Sequence, residues 1–123
     1  MISKKTVVVA LPQTVEERAV AAVLSSIGIS VLHATTGREA IMLLEDEPAV
    51  GLITTVQLAD MHAWSLVRDL QEIGILPRIQ VYVLSDASLV STLSTLPNVN
   101  LIVRPVARMQ LENQFAQAFG VTR

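Results

Sequence analysis

Short runs of β-branched residues alternate with helix-patterned segments five times along this chain, and that alternation limits the fold more than any other feature. Val7-Val8-Val9-Ala10-Leu11 is an unbroken apolar run ended by Pro12, the pattern of a strand covered on both faces. Thr14 and Glu17 form a capping-box pattern. Val15, Ala19, Ala22, Val23 and Ile27 follow at helical spacing, and Gly28 stops the helix. Ile29 to Ala34 alternates apolar and polar residues, as a half-buried strand does. Thr36 and Glu39 repeat the capping box before Ala40, Ile41, Leu43 and Leu44, and Pro48 closes that helix.

The second half continues the rhythm. Val50 to Val56 predicts a third strand. Asp60 predicts the cap of a helix to about Ile73, with Trp64, Val67 and Leu70 inward. Ile79 to Leu84 is a fourth strand, and Ser85 and Asp86 cap a helix through Leu89, Val90, Leu93 and Leu96. Val99 to Val103 is a fifth strand, and Met109 to Phe119 a last helix with Leu111, Phe115 and Phe119 inward. Strand–helix alternation with short joins implies right-handed crossovers and a parallel sheet covered on both faces. The expected fold is α/β, flavodoxin-like and doubly wound, with strand order 2-1-3-4-5, over one domain at 1–123.

Composition excludes several function classes. The chain is 51% apolar with four aromatic residues, so its core is aliphatic and intrinsic disorder is excluded. The net charge of −2 argues against direct nucleic-acid binding. With no Cys there is no disulfide, thiol nucleophile or thiolate metal site. No apolar run has the roughly 18 residues of a membrane span, and the start lacks a signal-peptide core, so the expected location is the cytoplasm.

In such sheets function gathers at the carboxyl ends of the strands. Four segments there or leading there carry a resemblance. Gly28 to Ala40 looks like the second strand and following helix start of the receiver domains of two-component response regulators. Leu58-Ala59-Asp60-Met61-His62-Ala63 resembles that family's Leu-Pro-Asp-Met-Asp-Gly loop. Val83-Leu84-Ser85-Asp86 and Val103-Arg104-Pro105 resemble its two later signatures, a Ser or Thr and a Lys-Pro.

The resemblance implies a CheY-like signalling module, but the reactive positions differ. The family's Mg²⁺-binding acidic pair falls on Leu11 and Pro12, and its phosphoacceptor Asp on Thr55. Ser85 keeps the hydroxyl, Arg104 replaces the Lys before Pro105, and the switch aromatic falls on Leu101. Mg²⁺ prefers carboxylate oxygens, and Leu11 and Pro12 offer none. Phosphoryl transfer relies on that metal. The expectation is a pseudo-receiver, not an enzyme, without Mg²⁺, acting through protein contacts or dimerisation. The rivals are an atypical receiver phosphorylated on a hydroxyl, and a small-anion or nucleotide binder around Arg104. No glycine-rich phosphate loop supports the binder.

Other residues stay open between readings. Arg104 either holds an anion or folds over Thr55. Trp64 is either a core filler or a contact anchor at the rim. Asp60-Met61-His62 is either a fragment of a cobalamin motif or a helix cap followed by a surface His. In the resemblance, the fourth helix, fifth strand and last helix form the contact surface. Leu89, Val90, Leu93, Leu101, Gln110 and Gln114 are its candidate residues here.

Overall fold

In this computed structural model the described residues are 5–11, 14–76, 78–85, 99–103 and 108–119. The strands are β1 (Thr6–Ala10), β2 (Ser30–His33), β3 (Gly51–Thr55), β4 (Gln80–Ser85) and β5 (Val99–Val103). The described helices are α1 (Thr14–Ser26), α2 (Gly37–Asp46), α3 (Ala63–Glu72) and α4 (Arg108–Ala118). All strand pairs are parallel, in the order β2-β1-β3-β4-β5. The expected doubly wound α/β sheet is therefore present. The helix expected over 86–96 lies outside the described residues.

Two apolar layers sandwich the sheet, because successive side chains on a strand point to opposite faces. Val8, Ala10, Leu52, Val81 and Val83 pack on the α2–α3 side with Leu66 and Leu70. Val7, Val9, Leu11, Ile53, Tyr82 and Leu84 pack on the α1–α4 side with Leu24 and Phe115. Both faces of the central strands are covered, which is why Val7 to Ala10 of β1 and Leu52 and Ile53 of β3 are apolar without alternation. Among the described residues no helix is long and apolar enough to cross a membrane.

Helix ends follow local chemistry. Thr36 Oγ1 accepts from Glu39 N–H (3.1 Å), and Glu39 Oε1 reaches back to Thr35 N–H (2.7 Å). That is the expected capping box, with its return bond one residue earlier than usual. Gly28 (φ 84°) and Gly74 (φ 83°) end α1 and α3 in the left-handed region. Ile29 N–H donates to Leu24 O and Ile75 N–H to Leu70 O, closing both helices as Schellman motifs. At the far end of α4, Lys5 Nζ donates to the Phe119 carbonyl.

Three expectations are corrected. The buried stripe of α1 is Val20, Val23, Leu24 and Ile27, whereas Val15 is 83% exposed and Ala19 and Ala22 face solvent. Val15 and the alanines also recur at helical spacing, so the sequence offers two stripes, and the bulkier one fills the space under the sheet. Trp64 does not face inward but is 40% exposed, because Ala63, Leu66, Val67 and Leu70 occupy the buried side of α3. Asp60 does not cap its own helix. His62 does, its Nδ1 accepting from Trp64 N–H at 3.0 Å.

Candidate functional site

The buried polar side chains among the described residues are Thr54, Thr55 and Ser85, all at the carboxyl ends of β3 and β4. Register explains the grouping. Ala10 pairs with Thr54, Thr55 with Leu84, and Ser85 follows Leu84. Leu11, one residue past Ala10, therefore ends up level with Thr55. The fold thus brings Leu11, Thr55 and Ser85 to one rim. Pro12, Arg104 and Pro105 lie outside the described residues.

Leu11 is 1% exposed and packs in the α1-side core, so its position presents hydrocarbon. Thr55 Oγ1 donates to the Leu84 carbonyl (3.3 Å), and Thr54 Oγ1 to the Thr55 carbonyl (3.3 Å). These bonds offset the desolvation of two hydroxyls that would otherwise cost about 1–3 kcal/mol each. They also hold the acceptor-level hydroxyl against backbone, with its proton committed to a carbonyl.

The loop after β3 is tightly built. Gln57 and His62 form an isolated antiparallel bridge. Leu58 N–H donates to Met61 O (2.9 Å), and Ala63 N–H to Val56 O (2.7 Å). Leu58 is buried and anchors the turn. Asp60 projects from it to the start of α2, where Oδ1 accepts from Gly37 N–H (2.8 Å) and Oδ2 from Arg38 N–H (3.0 Å). The Arg38 and Gly37 N–H groups, in that order, hold the Asp60 carboxyl below the usual aspartate range. The cobalamin reading of Asp60-Met61-His62 has no geometric support: the acid is a tie between elements and the His a helix cap.

His33 is half-exposed at the end of β2, its Nδ1 3.4 Å from Glu17 Oε1 on α1. Tyr82 is packed edge-on to Phe115 (5.3 Å) and Phe119 (6.0 Å), and burial pushes its hydroxyl pKa up. Leu101 is half-buried on β5, Gln110 exposed and Gln114 half-buried on α4. Leu89, Val90 and Leu93 lie outside the described residues. Sequence reasoning missed the Asp60 tie, and it missed Asn100, which with Gln80, Tyr82 and Gln114 lines a groove of about 680 Å³ between β4, β5 and α4. Asn100 had a signal, a carboxamide set in the otherwise apolar run Val99 to Val103.

No family model matches the chain, and no curated protein matches it. Solved structures do. A response regulator receiver protein from Sinorhizobium medicae superposes with a TM-score of 0.82 at 18% identity, covering 98% of each chain. The receiver domain of a sensor histidine kinase from Pseudomonas aeruginosa, with magnesium coordinated in its active-site cleft, gives 0.82 at 17% identity over 96% of this chain and 99% of that one. The chemotaxis protein CheY4 of Vibrio cholerae gives 0.81 at 15% identity over 94% and 99%. With that rim and that strand order, the chain has the CheY-like fold of response-regulator receiver domains.

Proposed function

We propose that residues 1–123 act as one receiver-like module of two-component signalling that is not phosphorylated and works through protein contacts. The observation that carries this reading is the state of the rim: Thr55 is held to the Leu84 carbonyl beside a Leu11 buried in the core. A metal-assisted phosphoryl transfer needs carboxylates to hold Mg²⁺ and an activated acceptor. Leu11 and Pro12 contribute no side-chain oxygen, and the nearby acid of the β3 loop, Asp60, has both oxygens bonded to the start of α2. The residues present do not fit Mg²⁺. The module is not an enzyme in this reading.

Incubation with acetyl phosphate and Mg²⁺, followed by intact mass measurement, tests the proposal. The expected spectrum shows unmodified protein. A stable gain of one phosphoryl group on Thr55 or Ser85 overturns it.

A further inference from the structure

The groove between β4, β5 and α4 lies toward the other end of the strands from the rim. Gln80, which lines it, opens β4, whereas Ser85 closes that strand. Its volume of about 680 Å³ falls in the range of about 300–1,000 Å³ usual for small-molecule sites. Val99, Leu101 and Ala118 give it hydrocarbon surface, and none of its lining residues is charged.

Two polar groups on its walls lack partners. Tyr82 is only 7% exposed, yet its hydroxyl makes no hydrogen bond among the described residues. Gln114 Oε1 is buried and likewise has no hydrogen-bond partner among them. Buried polar groups are nearly always hydrogen-bonded, so two orphans lining one cavity point to something that enters it. Asn100 does not supply the missing donor. Its Nδ2 is committed to Gln80 Oε1 (3.1 Å) and to the Val81 carbonyl (3.3 Å).

We propose that this groove binds a neutral small molecule with an apolar body and amide-type N–H and C=O groups, as in an aromatic carboxamide or a nucleobase. A charged ligand would lose water here without gaining a counter-charge. The hydrocarbon of Val99, Leu101 and Ala118 suits the apolar body. Gln114 Oε1 accepts a ligand N–H. Gln114 is half-buried, so a turn about its outer bonds brings that oxygen to a bound molecule. The Tyr82 hydroxyl and the exposed Gln117 carboxamide each offer both donor and acceptor, and they serve the ligand's carbonyl and remaining N–H. Binding here is independent of whether the rim is phosphorylated.

Nicotinamide and uracil are the probes, titrated into the isotope-labelled full chain and followed by the side-chain amide resonances of Asn100, Gln114 and Gln117. At least one probe is expected to shift these resonances saturably, with the millimolar affinity usual for molecules this small. Nicotinate keeps the ring of nicotinamide but replaces its amide with a carboxylate, and it should bind at least about tenfold more weakly. Tyr82→Phe and Gln114→Met each remove one polar contact and should weaken binding roughly three- to tenfold. Ile73→Lys, exposed just past α3, should bind as the wild type does. Melting curves identify any variant that fails to fold, and the nearly isosteric Tyr82→Phe decides if Gln114→Met does. The proposal is overturned if neither probe moves the groove resonances at tens of millimolar, if nicotinate binds as tightly as nicotinamide, or if the folded variants bind unchanged.

Discussion

Asp60 and Gly37 are joined across 23 positions of sequence by a 2.8 Å hydrogen bond from the Gly37 N–H to Oδ1. The neighbouring Arg38 N–H donates to the other oxygen at 3.0 Å. One carboxylate therefore satisfies two of the unpaired donors at the start of α2 and meets the positive end of its dipole. It also ties the loop after β3, where receiver-type chemistry would sit, to a neighbouring helix.

Asp60→Ala should lower stability by about 1 kcal/mol, as loss of a helix cap does. Chemical denaturation checks the value, and an unchanged midpoint would show that the tie is dispensable. The pH dependence has a definite sign. The folded-state pKa is depressed, so the contribution is present above the ordinary aspartate value and lost as pH falls through the folded value. Wild type and Asp60→Asn should therefore converge in stability on acidification below about pH 4. The carboxylate is exposed, so added salt should shrink the difference.

Tyr82 gives the opposite sign. Burial raises its pKa, so its contribution is intact below the ordinary tyrosine value and is lost as pH rises through the folded one. Stability should fall on alkalinisation above about pH 10, and Tyr82→Phe should flatten that limb. Denaturation midpoints at increasing pH report both.

Gly51 is fixed by a close approach. A Cβ there would lie 2.3 Å from Phe119 Cε1 and 3.1 Å from the Gln80 carbonyl. The ring is wedged against Tyr82 and Phe115 and has little room to turn. Gly51→Ala should cost about 1–3 kcal/mol through overpacking. Phe119→Leu in the same chain should recover part of that loss, which a double-mutant cycle measures as a coupling energy.

Thr55→Asp should not by itself create Mg²⁺-dependent phosphorylation, because Leu11 and Pro12 still provide no ligands. Intact mass after acetyl phosphate treatment is the measurement. Phosphorylation of the single variant would show that the missing pair is not what silences this rim.

The linear sequence determined the order and type of the described elements, because β-branched runs, capping boxes and helix-ending glycines act within a few residues of each other. It also located the rim, since parallel strands order their carboxyl ends. Of the polar rim positions it singled out, Thr55 and Ser85 are among the described residues and both are buried, whereas Thr54, buried beside them, carried no signal in the sequence. Other outcomes depended on contacts between distant segments. Which stripe of α1 turns inward was decided by the space under the sheet, so Val20 and Leu24 are buried while Val15 is not. Whether Asp60 caps α3 or α2 was decided by where the α2 N-terminus lies after folding, because both sites offer unpaired N–H groups. The groove at Asn100 and Gln114 exists only because α4 packs back beside the edge strand, a juxtaposition that no local pattern encodes.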